Sequence, residues 1–221
     1  MIGGRLGHIF IYGDGYYFSH LSEMLQVRKG GMSFIGSMIG VSVAFLVFKK
    51  IKKLTWTEFL LVFDCILAIV PFGIMIGRVG NFLNQELYGT VVPSGFVSAI
   101  GYPLFSILHD LHIFHVYSAV DDALRINTNF LSIFFEGLVI LIITLTIVRH
   151  RLKKKTYHAG QIAGAFLVAY SAIRFALEYF RSDSQDEFVG ILTKSQRFFV
   201  FFFVLGVGFF LRQLYKTKTH K

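Results

Sequence analysis

The chain has 221 residues, 54% of them hydrophobic and 16% charged, with a formal net charge of +9. A mean hydropathy of +0.61, with the apolar residues gathered in long blocks, excludes an ordinary soluble domain, in which about a quarter of residues are charged. The basic residues sit at the ends of the apolar blocks, which is the topology pattern of a membrane protein and excludes nucleic acid as the partner.

Residues 1–12 are apolar but too short to span a bilayer, which takes about 20 residues. They are expected to be the end of a helix whose beginning is absent. Residues 13–32 are polar and rich in Gly and Tyr. No basic region, apolar core and cleavage site follow one another here, so no signal peptide is expected. A first full block covers 33–48 and a second 57–77, broken by Pro71, which spanning helices tolerate when neighbours satisfy the freed backbone groups. Residues 84–129 are less hydrophobic and hold the strand-like and turn-like sequence. They are predicted to form a small extramembrane or interfacial head. Further full blocks follow at 130–148, 160–180 and 197–211, with a polar, acidic stretch at 181–196.

Of the 22 Lys and Arg residues, four lie in Lys49–Lys53, five in Arg149–Lys155 and four in Arg212–Lys221. These clusters follow the first, third and fifth full blocks. Five alternating spans place all three in the cytoplasm together with the C-terminus, and the head outside. The predicted fold is thus an all-α integral membrane protein: five full transmembrane helices, a truncated N-terminal one and an outer-face head, all in one membrane-embedded domain over 1–221. No internal repeat supports a transporter, and the polar residues cluster toward the outer half instead of forming a path through the bilayer.

Asp64, Arg78, Glu136, Arg174 and Glu178 lie within or at the ends of apolar blocks. Each facing lipid would cost roughly a few kcal/mol, so they are expected to face the bundle interior, around a polar cavity, the alternative for Arg78 and Arg174 being to snorkel to a membrane boundary. In the run Gly77-Arg78-Val79-Gly80-Asn81-Phe82-Leu83-Asn84-Gln85-Glu86-Leu87-Tyr88-Gly89, a helix would set Arg78, Asn81 and Gln85 on one face. Gly77 and Gly80 would admit a close neighbour or a ligand head group. Tyr170, Arg174, Glu178 and Arg181 are spaced by four, four and three, giving one polar stripe on an apolar helix. A guanidinium fork meets two phosphate oxygens at once, so two such arginines point to an anionic lipid head group. Glu178 and Arg181 have a competing role as a simple ion pair. The lone Cys65 reads as a small hydrophobe, and no residue set has zinc spacing. His109, His112 and His115 recur every third residue, a spacing that neither a helix nor a strand brings together.

The run Gly77–Gly89 resembles the signature of the prolipoprotein diacylglyceryl transferase family at every constrained position. Gly3-Gly4-Arg5-Leu6-Gly7, Gly30-Gly31-Met32-Ser33-Phe34, the Tyr170–Arg181 stripe and Leu192-Thr193-x-x-Gln196 resemble its other elements in order and spacing. The resemblance implies transfer of the diacylglyceryl unit of phosphatidylglycerol to the lipobox cysteine of a prolipoprotein in the bacterial inner membrane, with no metal or redox cofactor. It implies Arg78, Arg174 and Tyr170 as catalytic residues, and Arg78, Asn81, Glu86, Gly36 and Gly89 as contacts to phosphatidylglycerol. Two family histidines are replaced, by Ile35 after the Gly-Gly-Met-Ser-Phe loop and by Ile126 before the third full block, where Glu136-Gly137 survives. These replacements make a non-catalytic lipid- or lipoprotein-binding relative the alternative.

Overall fold

The computed structural model describes residues 2–12, 16–24, 33–154, 159–182, 188–189 and 191–219. It divides into two compact units, Met1–Phe59 and Leu60–Lys221.

In the first unit, α1 (Ile2–Tyr12) packs on α2 (Phe34–Ile51). Glycines make the crossing possible. A methyl group on Gly3 would come within 2.8 Å of Gly40 Cα, and one on Gly36 would run into the backbone of Gly3 and Gly7. Small residues at such positions let two backbones approach, as in membrane helix pairs. Ser33 caps α2, its hydroxyl accepting the Gly36 N–H at 3.1 Å. Arg5 is buried; its Nε donates to the Met24 carbonyl at 2.9 Å and Nη2 to that of Glu23 at 2.6 Å. Gly30, Gly31, Met32 and the Ile35 side chain lie outside the described residues.

Helix α3 (Trp56–Leu83) starts with a capping box: Thr55 N–H donates to Glu58 Oε2 at 2.8 Å, and Glu58 N–H to Thr55 Oγ1 at 3.3 Å. It continues through Arg78 and past the predicted end at 77, with Pro71 buried inside it.

Segment 84–127 holds α4 (Tyr102–Asp110) and an antiparallel hairpin of β1 (Phe114–Val116) with β2 (Leu124–Ile126), in register Phe114 to Ile126. Next comes α5 (Thr128–Lys154), in which Ile133–Val139 winds as a π-helix. Helix α6 (Gln161–Glu178) pairs with α7 (Lys194–Thr219). Leu192-Thr193-x-x-Gln196 proves to be a second capping box, Thr193 N–H donating to Gln196 Oε1 at 3.0 Å and Gln196 N–H to Thr193 Oγ1 at 3.1 Å.

An apolar core of Leu67, Ala68, Ile140, Ile162, Ala163 and Phe166 joins α3, α5 and α6. The chain is mostly helical, and α3 and α5 are long and apolar enough to cross a membrane. The hydrophobics Ile69, Phe72 and Ile76 of α3 and Ile142 and Leu145 of α5 are exposed, as surfaces in contact with lipid are.

Candidate functional site

Three helices bring charge to one point. Arg78 lies in the last turns of α3, Glu136 in the π-helical stretch of α5, and Arg174 and Glu178 near the end of α6. Arg78 Nη2 is 3.2 Å from Glu136 Oε2, Arg174 Nη1 is 3.6 Å from Glu136 Oε1, and Arg174 Nη2 is 2.9 Å from Glu178 Oε2. Both carboxylates are buried and both arginines nearly so. Buried charges persist when paired and hydrogen-bonded, and losing one partner leaves the other stranded. Arg78 and Arg174 are therefore held together by a shared carboxylate.

The sequence marks Glu136 as an ionisable residue in an apolar block and, with Gly137, as the surviving part of a family element, and assigns it no role in the site. The structure makes it the hub. A π-turn inserts an extra residue into the helical repeat and commonly marks a functional site. Gly137, next to it, lies against Met75: a methyl group there would run into Met75 Cγ and come within 3.0 Å of its sulfur. Without a side chain at 137, α3 approaches closely enough for Arg78, one turn beyond Met75, to reach Glu136.

The Glu136 Oε1 atom has no hydrogen-bond partner among the described residues. Its contact with Arg174 at 3.6 Å is an ion pair too long for a hydrogen bond. Arg174 also lies over the Phe199 ring at 5.7 Å. Tyr170, one turn earlier, is partly buried; it stacks on Phe166 at 5.5 Å and meets Phe199 edge-on at 6.3 Å. Arg181 is also buried.

The rest of the signature forms the turn above this cluster. With its amide oriented to satisfy both neighbours, Asn81 donates to Glu86 Oε1 and to the Gly77 carbonyl, each at 3.2 Å. Glu86 is exposed. Methyl groups on Gly77 or Gly80 would meet nothing within 4 Å, so this face of α3 is open. Gln85 leaves the predicted Arg78–Asn81 face: its φ is 53°, and its Oε1 accepts the Ala119 N–H at 2.7 Å. Leu87 also has a positive φ, 55°.

This turn is held from two sides. On one, Asn129 Nδ2 donates to the Glu86 carbonyl at 2.8 Å, Thr128 Oγ1 to that of Leu87 at 2.7 Å, and Gly89 N–H to that of Ile126 at 3.0 Å. On the other, Thr90 N–H donates to the Phe180 carbonyl at 2.9 Å and Ser182 Oγ to that of Tyr88 at 3.0 Å. Gly89 is threaded between the two, and a methyl group on it would strike the Ile126 carbonyl and approach that of Phe180 to 2.8 Å. The segment 126–129 thus braces the signature through its backbone and through Thr128 and Asn129. Arg125 adds a brace: it pairs with Asp121, donates to the Gly89 carbonyl at 3.1 Å and lies over the Tyr88 ring at 4.8 Å. The Arg125 hydrogen bond holds the Asp121 carboxyl below its ordinary range.

The second unit therefore brings Arg78 and Arg174 together, with Tyr170 one turn from Arg174, and sets Asn81, Glu86 and Gly89 in the adjoining turn. Glu178, expected either in the site or paired with Arg181, pairs with Arg174. Gly36 lies in the first unit, at the α1–α2 crossing. Among the described residues, no group of three or more His, Cys, Asp or Glu side chains is placed to hold a metal.

A family model described as prolipoprotein diacylglyceryl transferase matches residues 1–212. Proteins named phosphatidylglycerol–prolipoprotein diacylglyceryl transferase are similar to the chain. The one from Methylibium petroleiphilum is 35% identical over 87% of this chain and 64% of its own length. The one from Polaromonas naphthalenivorans is 37% identical over 87% and 62%. The one from Pseudoalteromonas translucida is 33% identical over 100% and 74%. The chain thus spans a little under two thirds of the first two and about three quarters of the third.

Proposed function

The chain belongs to the prolipoprotein diacylglyceryl transferase family, and from that membership we propose that it moves the diacylglyceryl group of phosphatidylglycerol onto the lipobox cysteine of prolipoproteins. The observation that carries this reading is the convergence of Arg78 and Arg174 on Glu136. In the transfer, a sulfur–carbon bond forms at the glyceryl carbon as its bond to the phosphate oxygen breaks. Glycerol phosphate leaves with the electron pair. Positive donors fixed where that charge develops lower the barrier, and Arg78 and Arg174 supply them. The thiolate is the attacking species, so the thiol proton must pass to a group other than residues 35 and 126, both isoleucine here.

In this reading Arg78 and Arg174 grip the phosphate and Tyr170 donates to it from its hydroxyl, which bonds to no described residue. Asn81, Glu86 and Gly89 contact or shape the lipid head-group site. The chain forms one transferase domain of five full spans in the bacterial inner membrane. The head 84–129 lies on the outer face and the C-terminus in the cytoplasm. The open glycine face of α3 and the basic ends of α2, α5 and α7 support this placement.

The test is transfer of labelled diacylglyceryl from phosphatidylglycerol vesicles to a lipobox peptide by the purified chain. Label on the peptide cysteine, lost on Arg78→Ala, is the expected result. Phosphatidylglycerol binding without transfer by the unmutated chain would overturn it in favour of the non-catalytic relative, which the replacements at Ile35 and Ile126 favour.

A further inference from the structure

Asp64 is a fully buried carboxylate in the third turn of α3, and the chemistry above does not use it. It reaches the beginning of α6. Gly160 N–H donates to Asp64 Oδ2 and Ala163 N–H to Asp64 Oδ1, each at 2.8 Å. The first turn of a helix has N–H groups without intrahelical partners, and a side chain at the N-cap commonly takes the one at the third helical position. The N-cap of α6 is Gly160, which has no side chain, and its φ of 90° is one that glycine adopts without strain. Ala163 is the third helical residue. The cap of α6 is therefore supplied by another helix, and its negative charge faces the positive end of the α6 dipole.

The spacing gives this cap a consequence for the site. Fourteen residues separate Asp64 from Arg78 along α3, and fourteen separate Gly160 from Arg174 along α6. At about 1.5 Å rise per residue, both arginines lie about 21 Å beyond the cap. Fourteen residues are also close to four turns, so Arg78 returns to roughly the face of α3 that carries Asp64. The two helices run parallel from one fixed point, with Leu67, Ala68 and Phe166 of the apolar core between the cap and the arginines.

We infer that Asp64 is a positioning residue: by capping α6 from α3 it sets the axial register that brings Arg78 and Arg174 to the same carboxylate. A slip of one helix by a single residue would move its arginine by about 1.5 Å, and misplacement on the order of 1 Å costs about a hundredfold in rate. The consequence for rate rests on the proposed transferase reading; the consequence for register does not.

The test pairs a distance with a rate. Spin labels at Ile76 and Ala176, both exposed, report the outer ends of α3 and α6 in a Cys65→Ser background. Asp64→Ala is expected to shift or broaden the interlabel distance and to lower kcat ten- to a hundredfold, with KM changed less. Leu67→Ala, which opens the core and leaves the cap intact, is expected to lower the melting temperature with neither effect. If Asp64→Ala does not fold, Asp64→Asn keeps the volume but turns one acceptor into a donor facing an N–H, and a smaller shift in the same direction is expected. An unchanged distance distribution in the folded Asp64 variant would overturn the inference. An unmutated chain that transfers no lipid would overturn the functional reading instead and leave the distance comparison intact as the test of register.

Discussion

Arg78 is bound to Glu136 across 58 residues of sequence at 3.2 Å, on the opposite carboxylate oxygen from the one that faces Arg174. One buried anion thus sets the separation of two guanidinium groups. Glu136→Gln is expected to reduce lipid transfer by about a hundredfold while phosphatidylglycerol stays bound, because two mutually repelling arginines lose their common reference. Glu136→Ala also leaves both cations without that partner, a loss of about 3–5 kcal/mol in buried pairs, to be read as a fall in melting temperature in detergent.

The close crossing at Gly137 makes a paired prediction. Gly137→Ala puts a methyl group into Met75 and forces α3 away from α5, so transfer is expected to fall steeply. Met75→Ala in the same chain opens the space again and is expected to recover part of it. Neighbouring sites couple in this way, and equal loss in the single and the double variant would contradict the packing argument.

At Gly89 the obstacle is backbone on both sides, with no side chain to swing away. Gly89→Ala is expected to disrupt the turn at 86–90 as well as activity. Amide hydrogen exchange at Thr90 and Ile126, whose N–H groups donate across this turn, is the measurement, with faster exchange as the expected outcome.

The Asp121–Arg125 pair gives a pH dependence. Its hydrogen bond lowers the Asp121 pKa in the folded chain below the ordinary 3.8. A depressed carboxyl contributes stability above its unfolded pKa and loses that contribution as pH falls through the folded value. Proteolytic cleavage of the head is therefore expected to rise as the pH drops below about 3.8. Asp121→Asn is expected to be cleaved faster at neutral pH and to show a weaker rise.

Much of the helical framework is legible in the apolar blocks. Each of the five full blocks coincides with a helix, and the helix ends run up to eight residues past the blocks where polar or basic residues continue the turn, as at Arg78. The capping boxes at Thr55–Glu58 and Thr193–Gln196 are local patterns of the kind a sequence displays openly. Arg78 and Arg174 stand out because a charge in an apolar block must be satisfied. The hub does not stand out: Glu136 meets partners on two other helices, and no periodicity encodes a contact between distant segments. Nor does IFFEGLV announce a π-turn, since its residues suit an α-helix equally. Asp64 was visible as a misplaced charge, but its partners are backbone N–H groups that any residues at 160 and 163 would carry.

The measurement that tests the central claim most directly is a double-mutant cycle of Arg78→Ala and Arg174→Ala, read as initial rates of lipid transfer to a lipobox peptide. In the proposed function two arginines held by one carboxylate grip one phosphate and act as a unit, and residues that act as a unit are far from additive. Each single variant is predicted to lose nearly as much rate as the double. Independent, additive losses, or a single variant that transfers lipid at the unmutated rate, would contradict the account.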